Sequence, residues 1–565
     1  MKINKVKLFL CIIIILGIIG ITTYFTYAES KEEKQGNADI KYEKTNMITN
    51  FRLGISKFDS INPHITQNKD VIQIASLIFE PLLTITQDYR VENCLTKEWS
   101  KVSEKSYIIK LKENVKWQNN NEFTAEDVKF TIEQIQKNKK SIYLENVKDI
   151  QKAEVVDKYT IRLELKEEIP FFEYRLIFPI LSQKQYEGKD MAKSKELPIG
   201  TGKYKVTRLD KEVIELTKNE NWYNIEKEDS NIKAITISLY KDMGEVYNSF
   251  RLGNIDLIHT NNNQYEEYIG SMGYQKKQYP GREYDYLAFN CKDSVLQNVE
   301  VRQAIQKAID KGKIVSSILE EKAYVANLPL DYGNYLAKDL EWGEVFNQEE
   351  SKKILKDNGW KFEYGIWSKE IEGRTRTLNF TITVQEKNKQ RVKVVEEIKK
   401  QLETIGIQVT VKKVSENEYK SILINHRYEI LLTGVYNGYS PELNVFLGEG
   451  NLAEYQNTEI NSLLKEISTM SSEDAQKEAY QKIAETWRRE VPYIGLYCNQ
   501  VTVAYGQTVR GEVTPNNYSI FYQFSQWYRQ WCQVGDVPFS DTASIKLIVL
   551  AFDYAKSITI VYAYS

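Results

Sequence analysis

The chain has 565 residues, 42% of them hydrophobic and 27% charged, a globular composition large enough for more than one domain. Its 76 basic and 78 acidic residues are well mixed and leave a net charge of −2, so no basic face is implied and nucleic acid is not an expected partner. Cys11, Cys94, Cys291, Cys498 and Cys532 are far apart and form no CxxC, and His64, His259 and His426 form no HExxH. A zinc knuckle, a redox motif and a metal enzyme are therefore not expected. One disulfide among the cysteines beyond Cys11 stays open, and no cofactor is called for.

At the N-terminus, Lys2, Lys5 and Lys7 precede an uncharged run from Leu8 to Ala28. Residues 1–28 read as a secretory signal or an uncleaved membrane anchor, and on both readings the body lies outside the membrane. Cys11 precedes most of the run with bulky Leu10 beside it, so a cleaved, a lipidated and an anchored leader all stay open. The polar stretch 29–45 reads as a tether.

Phe51 to Ile55 reads as a strand, Asp59-Ser60-Ile61-Asn62-Pro63 as a turn, and Val71, Ile74, Ala75 and Ile78 mark a helix. Ser106 to Leu111 alternates as a strand. Thr124-Ala125-Glu126-Asp127 has the form of a capping box opening a helix. Pro198-Ile199-Gly200-Thr201-Gly202 is a glycine-rich turn without the Walker spacing, so unusual backbone angles are expected there rather than a phosphate cradle. Val301, Ala304, Ile305, Ala308 and Ile309 repeat as one buried helix face, with Arg302 and Asp310 off it or at its edge. Leu378 to Val384, Val392 to Ile405 with Gly406 as stop, and Ile407 to Val411 form strand, helix and strand, hence a parallel pair. Tyr428 to Thr433 is a further strand, and Ser471-x-x-Asp474 opens a last long helix.

Several of these pieces are distinctive in wording and occur in a distinctive order: Ile61-Asn62-Pro63, Glu80-Pro81-Leu82, Leu95-Thr96-Lys97-Glu98-Trp99, Thr124-Ala125-Glu126-Asp127-Val128, Gly200-Thr201-Gly202-Lys203-Tyr204, Gly253-Asn254-Ile255-Asp256, Phe289-Asn290 followed by Val301-Arg302-Gln303-Ala304-Ile305, and Pro492-Tyr493-Ile494-Gly495-Leu496-Tyr497. The ordered set resembles the family-5 extracytoplasmic solute-binding proteins of the oligopeptide, dipeptide and nickel type, the receptors that feed ABC importers. The resemblance spans roughly residues 46 to 531. It implies an α/β, two-lobed periplasmic-binding-protein fold of type II, hinge-connected, with an extra subdomain on the first lobe. The expected segments are 46–85, 198–282 and 495–531 for lobe 1, 86–197 for the subdomain and 283–494 for lobe 2. Residues 532–565 stay unassigned.

The resemblance implies a receptor that takes a peptide or other small polar solute between its lobes. It would act as a monomer on the outer face of the membrane or in the periplasm, and pass the solute to permease subunits. Peptide-binding members carry Gly-Trp-x-x-Asp-Tyr after a lobe 2 strand, whose Asp pairs with the ligand's α-ammonium. Here the stretch is Gly434-Val435-Tyr436-Asn437-Gly438-Tyr439, with Gly438 at the Asp position. Tyr436, Asn437 and Tyr439 are candidates for the cleft wall, Glu442 for the missing carboxylate, Arg427 for facing a carboxylate and Asn290 for a cleft position at its strand end. The alternatives are a membrane-tethered peptide sensor without transport and a receptor for nickel or another solute. No Gly-x-Ser-x-Gly, zincin or carboxylate pair supports an enzyme.

Overall fold

The computed structural model describes residues 47–189, 196–330, 333–340, 343–470 and 472–530. The leader, the tether, the 532–565 tail, Cys11 and Cys532 lie outside the described residues. Among the described residues no helix is long and apolar enough to cross a membrane. Cys94, Cys291 and Cys498 are free thiols.

Two long strands, Tyr274–Phe289 and Tyr493–Gly506, run antiparallel. Their register shifts between Pro280 and Tyr284 and again between Asp285 and Tyr286. On one side of this break the pair is widened by the strand Leu257–Thr260. On the other side Glu283–Phe289 pairs with Ile430–Tyr436, followed by the parallel strands Asn379–Gln385 and Gln408–Val414. One sheet thus continues on both sides of this break, the position at which a two-lobed fold of this type would be hinged.

Beyond the hinge the period of two sorts the side chains between two cores. Tyr284, Tyr286 and Ala288 join Phe446, Trp487 and Tyr493 on one face, while Leu287 and Phe289 join Val301, Ile305, Ile382 and Ile398 on the other. The helix Lys389–Thr404 crosses between the parallel strands Asn379–Gln385 and Gln408–Val414, as the strand, helix and strand pattern predicts. Asn388 caps it by accepting from the Arg391 amide at 3.0 Å, and Gly406 ends it at φ +86.

The helix Val299–Ala308 buries Val301, Ala304, Ile305 and Ala308. Arg302 is not at the edge of that face, as its place in the repeat implies. It is 4% exposed, and its guanidinium donates to the carbonyls of Leu296, Gln297, Glu490 and Val491. The last two close the long helix Glu473–Glu490, where unpaired carbonyls and the helix dipole both favour a cation.

The first lobe is built on the strands Asn50–Ser56, Ala234–Tyr240, Val213–Lys218 and Tyr204–Leu209, side by side in that order. Phe51, Leu53, Ile235, Ile237, Phe524 and Trp527 form its core. Asp256, from the Gly-x-Ile-Asp turn, is buried and receives the Arg52 amide at 2.6 Å, the Arg52 guanidinium at 2.7 Å and Arg529 at 3.0 Å. A separate antiparallel sheet, Thr96–Ser103, Ser106–Leu111, Thr160–Leu165 and Ile150–Asp157, packs against the helix Ala125–Lys137. The Thr124 and Asp127 capping box forms as the spacing predicts, with the Thr124 amide donating to Asp127 at 2.9 Å.

The glycines of Gly200-Thr201-Gly202 have a different cause from the one read in the sequence. Neither has a positive φ. Instead, a Cβ on Gly200 would lie 1.8 Å from the Ile78 carbonyl oxygen and one on Gly202 2.7 Å from it. The requirement is close backbone approach, and the Gly202 amide donates to that same carbonyl at 2.9 Å.

Glu80 enters the joint between this segment and the subdomain. It is buried, and accepts from the Trp222 indole at 3.0 Å and the Tyr223 hydroxyl at 3.3 Å. Burial raises its carboxyl from 4.5 to about 7, against these donors and Lys203, which act in the opposite direction. The folded state therefore holds the proton more tightly than the unfolded chain. The resulting stabilisation is full below pH of about 4.5 and is lost as pH rises through about 7. Between those limits the protein should lose up to about 3 kcal/mol relative to Glu80→Gln, read as the difference between their urea-unfolding free energies across a pH series.

Candidate ligand-binding cleft

The parallel strands Asn379–Gln385 and Ile430–Tyr436 end toward the hinge, where Tyr436 stands opposite Glu283. In open α/β sheets, ligands gather beyond the carboxyl ends of the strands. Here the first lobe meets that edge. The Tyr439 hydroxyl donates to the Asn517 carbonyl at 3.0 Å, and its ring meets Tyr518 edge-on at 5.3 Å. The Asn517 amide donates in turn to the Pro280 carbonyl at 2.9 Å and to the Tyr89 hydroxyl at 3.2 Å. At the rim, Arg90 pairs with Glu473 at 2.7 Å and lies 4.4 Å from the centre of the Tyr335 ring. Burial pushes the Tyr279 and Tyr518 hydroxyls well up, so both are neutral at ordinary pH.

Three predicted wall residues come together around a side chain that no sequence pattern singled out. The Arg282 guanidinium is 3.7 Å from the Tyr439 ring centre and 4.7 Å from that of Tyr436. It also donates to the Asn437 carbonyl, while the Asn437 amide donates back to the Arg282 carbonyl at 2.9 Å. Tyr436 is 60% exposed, and Lys69, from the first lobe, reaches to 5.3 Å from its ring centre. Arg282 lies in the register break, and Lys69 on a short helix with no apolar repeat at its own position. Neither had a signal in the sequence, and Asn517 and Tyr518 lie in a loop without one.

The remaining candidates fall elsewhere. Glu442 is half-buried, with its carboxylate accepting from the Asn444 amide of its own loop at 2.9 Å. Asn290 and Arg427 do not join this group. Phe289 pairs with Ile430, six residues along from the pairing of Glu283 with Tyr436, which puts them about 20 Å away at the far end of the strands. There the Asn290 amide donates to the Tyr428 carbonyl at 3.0 Å and ties down a turn, and Arg427 is exposed. Asn290 follows the end of its strand, as the sequence reads it, and Tyr436 stands at the opposite end of the pairing. Among the described residues no three His, Cys, Asp or Glu side chains converge to hold a metal ion.

Beneath the wall lies a buried ion pair. The Arg391 guanidinium donates to Asp285 at 2.5 and 3.0 Å, and Asp285 is 1% exposed. Burial raises the Asp285 carboxyl, against the pull of Arg391. The pair passes directly over Gly434: a Cβ there would lie 2.0 Å from Asp285 Oδ1 and 2.1 Å from Arg391 Nη2. Gly434→Ala should therefore push the pair apart and lower the unfolding free energy by about 3 kcal/mol. Chemical denaturation should show most of that loss disappearing in an Asp285→Ala, Arg391→Ala background, because both side chains that crowd the added methyl are then removed.

The profile for bacterial extracellular solute-binding proteins, family 5 (its middle region), matches residues 90–449. The oligopeptide-binding protein AppA of Bacillus subtilis (strain 168) is 23% identical over 434 residues, 72% of this chain and 78% of that one. Among solved structures, a nickel ABC transporter protein from Bacillus halodurans superposes with a TM-score of 0.71 at 20% identity, over 84% of this chain and 98% of that one. A putative peptide binding protein, AppA, from Clostridium difficile gives 0.66 at 20% identity, over 85% and 100%. At these identities the structures speak for the fold.

Proposed function

As the chain belongs to the family-5 bacterial extracellular solute-binding proteins and is the substrate-binding protein of an ABC importer, not an enzyme, we propose that its solute is peptide-like, held between the lobes at the hinge and released to a membrane permease. The observation that carries this reading is the make-up of the cleft wall: Tyr436 and Tyr439 from one lobe and the loop Asn516-Asn517-Tyr518 from the other. Tyrosines offer broad contact with a polar tip, which tolerates varied side chains. The Asn517 carbonyl, which takes the Tyr439 hydroxyl, is the kind of backbone acceptor that an extended peptide pairs with. Opening the lobes exchanges those contacts for contacts with the solute. AppA of Bacillus subtilis carries oligopeptide binding in its name, which agrees with this choice.

Calorimetry with mixed peptides of three to nine residues should give binding that Tyr439→Ala weakens by about tenfold or more. Native mass spectrometry of gently purified protein should show a bound mass within the peptide range. A folded protein that ignores every length, or a trapped metal chelate or haem, would overturn the peptide reading.

A further inference from the structure

The turn at residues 86–90 touches segments from three parts of the chain, and its own bonds make it rigid. The Thr86 amide donates to the Arg90 carbonyl at 2.9 Å, the Arg90 amide to the Thr86 hydroxyl at 2.9 Å, and that hydroxyl to Asp88 at 2.6 Å. Tyr89 at its tip has φ +66, which costs a bulky side chain and persists only where the surroundings impose it. Here the Tyr174 hydroxyl donates to the Tyr89 carbonyl at 2.8 Å, and the Asn517 amide to the Tyr89 hydroxyl at 3.2 Å.

Tyr89 thus meets the loop at 516–518, while its neighbour Arg90 reaches across to the segments expected in lobe 2. Arg90 holds Glu473 with two donors, Nη2 at 2.7 Å and Nε at 3.3 Å, the strong bidentate form of this pair. It also pairs with Asp88 of its own turn. Its guanidinium lies 4.4 Å from the centre of the Tyr335 ring, and the Tyr335 amide donates to the Asp88 carbonyl at 3.0 Å. Both receiving residues are fixed in turn. Glu473 stands in the first turn of the helix Glu473–Glu490, with Lys477 at 2.8 Å. Asn334, which is buried, accepts from the Leu336 amide at 3.0 Å and shapes the turn that bears Tyr335. Beside these contacts, Tyr89, Phe171 and Tyr174 share one buried apolar cluster with Leu336, Ala337 and Phe446.

This is a second bridge between the two halves, separate from the paired strands Tyr274–Phe289 and Tyr493–Gly506. Its ion pair differs in kind from that of Asp285 and Arg391. The Arg90 and Glu473 side chains are 38% and 39% exposed, so water can take over their charges when they part. A buried pair has no such substitute. The exposed pair suits a contact that breaks and re-forms.

Resting on the reading that solute binds between the lobes, we propose that the turn at 86–90 is the latch of the receptor. Arg90 closes on Glu473 and Tyr335 and, without touching the solute, sets how slowly an enclosed solute leaves. Arg90 and Glu473 are thus positioning residues for capture.

Hydrogen exchange on the full chain reads the latch without any solute, because the hydrogen bond of the Tyr335 amide spans the contact. Arg90→Gln and Glu473→Gln should each speed exchange at Tyr335 by about three- to tenfold and leave the strand Ile430–Tyr436 unchanged. Arg90→Lys should fall between Arg90→Gln and the native protein. Raising salt from about 0.05 M to about 0.5 M should speed exchange in the native protein and do little in Arg90→Gln. With tri- and penta-alanine as probes, surface plasmon resonance should show dissociation from both Gln variants faster by a similar factor, without slower association. Unchanged exchange at Tyr335 in the Gln variants overturns the latch. So does faster exchange throughout lobe 2, which marks loss of stability and not opening, and so does peptide release at the native rate from a variant that opens faster. If exchange responds as expected and neither peptide binds, the latch stands and the peptide reading falls.

Discussion

The pairing of Tyr274–Phe289 with Tyr493–Gly506 is the constraint on which the other elements depend. A continuous ladder would run one stiff sheet through the molecule. The shift between Pro280 and Tyr284 divides it, and residues 281–283 are released from the regular ladder between these strands. Gly281 is needed there, because a Cβ would lie 2.9 Å from the Asn499 carbonyl oxygen. Next to it, Arg282 turns toward the loop at 436–439. One irregularity thus sets where the lobes join, which side chain reaches the cleft and which strand ends border it.

The ion pair of Asp285 and Arg391 sits immediately behind that irregularity. Burying two charges is expensive and contributes little net stability, but removing one partner leaves the other stranded. Such a pair acts chiefly as a geometric requirement. It links the hinge strand to the helix Lys389–Thr404 and restricts the neighbouring strand to glycine at position 434. The loop that follows, with its tyrosines, is therefore aimed by a polar contact within an otherwise apolar core. Arg302 and Asp256 do similar work farther out, each gathering backbone or arginine partners from segments distant in sequence.

The family motifs are mostly scaffold. Asn290 and Arg302 tie turns and a helix end, Gly200 and Gly202 allow a backbone to pass close to Ile78, and Glu80 fills a buried joint. They identify the receptor family because the same joints need the same residues. The group at the strand ends draws instead on Tyr436, Asn437 and Tyr439, from the stretch where this chain departs from the family's pattern, and on Arg282, Lys69 and Asn517, which lie in none of those motifs.

The two-lobed α/β class came from the family resemblance, while local pattern was enough for the capping box at Thr124, the parallel pair flanking Lys389–Thr404 and the buried face of Val299–Ala308. Each of these rests on periodicity or on a contact within a few residues, so a linear reading captures it. The same reading placed Tyr436, Asn437 and Tyr439 on one loop by resemblance. It could not tell that Asn290 and Arg427 stand at the opposite end of the strands from Tyr436, because register between strands far apart in sequence leaves no local trace. Arg282, Lys69, Asn517 and Tyr518 meet only through pairings between distant segments, and neither periodicity nor motif marks them. The sequence by itself determined the elements and the family. Tertiary structure decided which end of the sheet faces the other lobe and which charges stand there, because both depend on long-range register and on the break between Pro280 and Tyr284.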